Sequence, residues 1–281
     1  MCWIFVIIFQ WGVTGAGLVT IFSQFLSVVI ILFRLQQNDL TRLSLKDLRL
    51  RGNYAKDLLR IGLPTAVQQV TMSLAGTVVM GYVTSYGTES IAGYSVGSTI
   101  EMYVAMPVQA LNMSVTPFAA QNVGAGKMDR VYQAAKETVM INSGINIVLT
   151  VSVLIFAEKL IGMFTDNAGT IAAGVVFLRI MVPAHIMTAI NQPLSGVIRG
   201  SGNPITPMIN ALMMTVVIRI PIIILLNPIY NRIEVVYYSH VIATLYGLIH
   251  MLIVYRKGKW RQKAMARIEE KFSSGQAKEA F

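Results

Sequence analysis

The chain has 281 residues, 54% of them hydrophobic and only 13% charged, with a mean hydropathy of +0.60. Soluble domains carry about 25% charged residues, so a chain short of charge along its whole length reads as a polytopic membrane protein. A single cysteine, Cys2, excludes an internal disulfide framework and a multi-cysteine metal site.

Residues 1–11 are apolar but lack a basic leading region and a small-residue cleavage site, so they do not read as a cleavable signal peptide. A segment of about 15 Å of helix at 1.5 Å per residue is too short to cross a hydrocarbon core of roughly 30 Å. It reads as the remnant of a truncated span, the alternative being an interfacial helix. Seven segments of sufficient length follow, at 13–33, 61–84, 91–116, 133–157, 170–198, 205–226 and 233–255. Turn-forming clusters such as "SYGTES", "TDNAGT" and "NPIYNR" separate them.

The net charge of +10 could suggest nucleic acid, but its placement argues otherwise. Residues 34–60, 121–137, Arg199 and the tail from Arg256 together hold 19 of the 23 Lys and Arg. These stretches alternate along the chain and so share one side, which the positive-inside rule makes cytoplasmic. The charge therefore records topology, and no nucleic-acid partner is expected. The stretch "QNVGAGK" (121–127) lies on that side. A phosphate-binding loop needs G-x-x-x-x-G-K-[ST] after a strand. Here Gln121 replaces the first glycine and Met128 the hydroxyl residue, so the stretch reads as a turn between helices.

Several stretches, in this order, resemble the C-terminal part of the multidrug and toxic compound extrusion (MATE) family. "GVTGAGLVTIFSQFLSVVIILF" (12–33) is similar to its sixth span and "LLRIGLPTAVQQ" (58–69) to the start of its seventh. "PFAAQNVGAGKMDRV" (117–131) is similar to the turn after the eighth, "LSGVIRGSGNPITP" (194–207) to that after the tenth, and "VIRIPIII" (217–224) to the eleventh. The resemblance implies an all-α fold: the sixth span plus the C-terminal six-helix lobe of a twelve-helix, two-lobed transporter. On that reading 12–36 is the sixth span, 37–57 a basic cytoplasmic linker, 58–257 the C-terminal lobe and 258–281 a cytoplasmic tail. The layout of 1–34 also echoes that of 220–256, as expected of a repeat.

Charges inside spans are the leading functional candidates, because one at mid-membrane costs roughly 2.5–3.5 kcal/mol on insertion scales. Glu101 falls near mid-span, Arg219 at similar depth in a later span, and Arg179 shallower. Burial favours the neutral form of a carboxyl, so Glu101 could hold a proton or a cationic substrate but not both. The opposing reading is a permanent Glu101–Arg219 ion pair bracing two helices. Ser98, Glu101, Ala105, Gln109, Asn112 and Thr116 recur on one helical face, as do His185, Thr188, Gln192, Ser195 and Arg199. Gln69 and Met72 extend a milder stripe in the first span of the lobe. Such faces must meet other helices or water, and together they suggest a shared cavity. Pro107, Pro183, Pro193 and Pro221 fall within spans and invite kinks. Of the three histidines only His185 shares a candidate face; His250 reads as an interfacial residue reaching for water.

The resemblance implies efflux of small organic cations by H⁺- or Na⁺-coupled antiport at the plasma membrane, with no cofactor, metal or enzymatic chemistry. NorM-like members carry an acidic residue in the seventh span, where this chain has about Met72, and another in the tenth, where 170–198 has none. DinF-like members use an aspartate of the first span, which these residues do not include. Coupling would then rest on Glu101 or on an absent N-terminal lobe. The alternatives are a lipid-linked oligosaccharide flippase, which would need more cavity arginines than Arg179 and Arg219, and a non-transporting membrane fragment.

Overall fold

The computed structural model describes residues 12–37, 52–262 and 264–266. The expected remnant at 1–11, most of the linker and the tail beyond 266 lie outside the described residues. The chain divides into two compact units at Asp57/Leu58.

In the first unit, α1 (Gly12–Gln36) is a 25-residue helix whose apolar side chains, Ile21, Phe25 and Phe33 among them, are largely exposed. In the second, α2 (Gly52–Thr84, belonging to this unit from Leu58), α3 (Thr88–Gly124), α4 (Met128–Gly162), α5 (Ala168–Gly200) and α8 (Ile233–Lys257) are single helices. Between α5 and α8 runs one broken rod: α6 (Ile205–Leu212), a π-helical segment (Met213–Arg219) and α7 (Ile220–Tyr230). Each of the seven expected spans falls inside one of these rods, and the helices run on past the apolar stretches. Among the described residues, five rods are both long and apolar enough to cross a membrane, namely α1, α4, α5, Ile205–Tyr230 and α8. α2 and α3 are also long enough, at 33 and 37 residues, but carry more polar side chains.

Both glycine turns are helix C-caps. After α3, the Gly126 N–H donates to Val123 O at 2.9 Å and the Lys127 N–H to Asn122 O at 2.8 Å. After α5, the Gly202 N–H donates to Arg199 O at 3.0 Å and the Asn203 N–H to Ile198 O at 3.2 Å. These crossed pairs form the Schellman motif, whose left-handed position favours glycine; Gly126 and Gly202 have φ of 71° and 80°. "QNVGAGK" is therefore a helix stop, as its missing strand and hydroxyl suggested.

Two apolar cores stack along the lobe. Near the turn-and-bend end that carries Gly87 and Asn231, Phe177 is fully buried and meets Tyr94 and Tyr237 edge-on, each at 5.2 Å between centroids. Val79 and Val83 of α2, Ile161 of α4 and Ile223 of α7 join it. At the basic end, Val197, Ile198, Val131 and Met251 pack beneath Trp260. α3 and α5 approach closely because Gly93 and Gly97 leave room: a Cβ on Gly93 would stand 2.7 Å from Gly174 N.

Helix persists through Pro107 and through Pro183 and Pro193. At Pro221 the backbone responds differently. A proline ring lacks an N–H and collides with the carbonyl four residues before it. Widening the preceding turns to π geometry moves that carbonyl away, and the π segment ends at Arg219, two residues upstream of Pro221.

Candidate functional site

Glu101 lies about 20 Å along α3 and His185 about 25 Å along α5, at 1.5 Å per residue. The tight α3–α5 packing brings them together: His185 Nε2 and Glu101 Oε1 are 2.8 Å apart, with 14% and 18% of their side chains exposed. Both side chains are mostly buried, with a small part of each left exposed. Among the described residues it is the carboxylate–imidazole contact within salt-bridge distance.

Arg219 is not the direct partner of Glu101. Its Nε is buried without a hydrogen bond, although it lies near enough to Tyr94, His240 and Glu101 for their charges to interact. Arg219 is the last residue of the π segment. The centre is therefore a spaced set, with Glu101 and His185 in contact and Arg219, Tyr94 and His240 around them.

The other candidates separate. Thr188 and Gln192 continue the His185 face of α5 and are partly buried, the Thr188 hydroxyl donating to Ala184 O at 3.4 Å. Gln69, Met72 and Gln109 are exposed, as an open wall requires. Asn112 turns instead toward α4 and accepts from Asn142 Nδ2 at 3.2 Å. Arg199, at the end of the α5 stripe, donates to Gln68 of α2 at 3.1 Å. Arg179 is exposed. Among the described residues no three His, Cys, Asp or Glu gather to hold a metal.

Two polar clusters escaped the sequence reading. One joins α5, α6 and α8: His250 Nδ1 lies 2.9 Å from Asn210 Oδ1, whose amide reaches Asn191 Oδ1 at 3.4 Å. His250 also stacks on Tyr246, with centroids 6.0 Å apart. It links α8 to α6, a structural role of the kind expected of it. The other is a stripe on α4, Asn142, Asn146 and Thr150, all buried. Asn142 Oδ1, Asn146 Oδ1 and Thr150 Oγ1 have no hydrogen-bond partner among the described residues. Their four-residue spacing was visible in the sequence, but neutral amides draw less notice than charges.

The MatE family profile matches residues 64–225. The chain is 24% identical over 263 residues to the probable multidrug resistance protein YoeA of Bacillus subtilis, covering 92% of this chain and 56% of that protein. It is 25% identical over 248 residues to the multidrug export protein MepA of Staphylococcus saprophyticus, covering 88% and 54%. The chain thus spans a little over half the length of the curated relatives it matches. A solved MATE transporter from Vibrio cholerae superposes with a TM-score of 0.82 at 20% identity, covering 91% of this chain and 58% of that one. The helix order, the capped glycine turns and a family profile covering more than half of the residues converge: the chain belongs to the MatE family.

Proposed function

We propose that this chain forms one wall of a multidrug efflux antiporter that exports small organic cations in exchange for H⁺ or Na⁺. The observation that carries the proposal is the mostly buried Glu101–His185 pair, each member near the middle of its helix. An ionised carboxylate there attracts a cation, and a protonated one does not. The coupling ion and the substrate therefore compete for one oxygen pair, and that competition links their opposite movements. His185 holds the carboxylate in place between cargoes and offers an exchangeable proton. The partly buried face of Thr188 and Gln192 and the exposed Gln69, Met72 and Gln109 supply a mixed polar and thioether surface that accommodates varied flat cations.

An N-terminal lobe, in the same polypeptide or in a separate chain, supplies the facing wall, with residues 37–57 as the linker between lobes. The basic end faces the cytoplasm of a plasma-membrane protein. A flippase for a pyrophosphate-linked lipid would need clustered guanidinium groups, whereas Arg179 is exposed and Arg219 interacts at a distance with the Glu101 carboxylate.

The test is drug efflux from cells that express the chain together with a MATE N-terminal lobe. Glu101→Gln should weaken export and flatten its dependence on pH or sodium. Export unchanged in that variant would remove Glu101 from the mechanism. The chain expressed without a second lobe should give no resistance, and strong resistance from it alone would overturn the two-wall reading.

A further inference from the structure

At the basic end of the lobe, α8 stops at Gly258, whose φ of 65° turns the chain back on itself. The next helical residues bring Trp260 down onto Tyr255, with centroids 5.4 Å apart, and against Tyr132 of α4 at 5.8 Å. Trp260 is only 2% exposed, and its Nε1–H donates to Tyr255 O at 3.1 Å. This aromatic clamp holds Arg261 over the Tyr132 ring, its guanidinium carbon 5.7 Å from the centroid. The result is a cleft of about 440 Å³ lined by Tyr132, Arg256, Lys257, Arg261, Gln262 and Met265, with Gly258 at its back. Three cations and an amide line it, with no carboxylate among them.

An exposed apolar row leads to the cleft. Ile242, Leu245, Ile249 and Ile253 of α8 recur at steps of three and four, each about half exposed, and Arg256 continues the same face. A ligand suited to both features carries a phosphate at one end and hydrocarbon at the other. Basic pockets at the ends of membrane helices take anionic lipid headgroups on the same physical grounds. Arginine adds paired donors that match phosphate oxygens. Aromatic rings beside a basic helix end suit the membrane–water interface, where amphipathic rings concentrate.

We propose that this cleft is a binding site for an anionic phospholipid, its phosphodiester held by Arg256, Lys257 and Arg261 and an acyl chain lying along Ile253, Ile249 and Leu245. The site is separate from the Glu101–His185 centre. It clips α4 to α8 through a lipid that belongs to the leaflet on the basic side. A soluble phosphate would satisfy the cations but leave the apolar row without a role.

The test is native mass spectrometry of the purified chain in detergent, mixed with phosphatidylglycerol or with phosphatidylcholine of the same acyl chains. Phosphatidylglycerol should be retained preferentially. The Arg256→Gln/Lys257→Gln double variant should retain it roughly thirtyfold more weakly, at about fivefold per basic side chain near a charged leaflet. The Lys127→Gln/Arg130→Gln pair, which removes equal charge from the neighbouring turn, should leave retention unchanged. Gln262→Glu, which puts a negative charge in the cleft, should weaken it independently should the double variant melt early. Equal retention of the two lipids would overturn the site, and so would equal losses in the two double variants. Displacement of the lipid by millimolar inorganic phosphate would assign the cleft to a soluble anion instead.

Discussion

Removing the Glu101–His185 contact by a double-mutant cycle gives the most direct measure of the centre. At 2.8 Å the gross attraction between unit charges is roughly 6 kcal/mol at an effective dielectric of about 20. Desolvation of both groups offsets most of it. Hydrogen bonds to charged groups net about 1.5–3 kcal/mol, whereas exposed ion pairs net roughly 0–1 kcal/mol. With 14% and 18% of its side chains open, this pair falls between, at about 1.5 kcal/mol of coupling. The assay is unfolding in mixed micelles of the wild type, Glu101→Ala, His185→Ala and the double variant, with Arg219→Gln as a third arm. Single-variant losses that add within about 0.3–0.5 kcal/mol would show that the two side chains do not interact. Stronger coupling of Glu101 to Arg219 than to His185 would restore the bracing ion pair.

Two stability predictions follow from the packing. Gly93→Val places a branched side chain against Gly174 N and Ala173 Cβ, and overpacking of that kind costs roughly 1–3 kcal/mol. A lowered melting temperature with wild-type secondary structure by circular dichroism is the expected result, and an unchanged one would mean that α3 and α5 are not held this close. Asn146→Leu removes a fully buried amide whose oxygen has no partner among the described residues. Since an unsatisfied buried polar group costs about 1–3 kcal/mol, the variant should melt at the same temperature or higher. A clear loss of stability would show that Asn146 has a partner in the membrane.

The rods and their polarity were legible one residue at a time. Apolar length, turn clusters and the side on which Lys and Arg gather are local quantities, so each expected span falls within a described helix. The two Schellman turns were also legible, because their glycines occupy positions that other residues adopt only with strain. Glu101 stood out because a lone carboxyl in a span is costly. Its partner did not, since Arg219 shares its depth by counting while His185 shares a packed interface.

Sequence by itself determined that this chain is a set of apolar helices with a basic end, because hydrocarbon demands internally satisfied backbones and membrane insertion sorts cations by side. Only the tertiary structure decided which polar groups meet. Glycines at 93 and 97 let α3 press on α5 and join Glu101 to His185, while Arg219, at the end of the π segment, makes no direct contact with Glu101. Those outcomes depend on helix rotation and separation of a few ångströms. Many sequences share the same pattern of apolar stretches and differ in how their helices are turned.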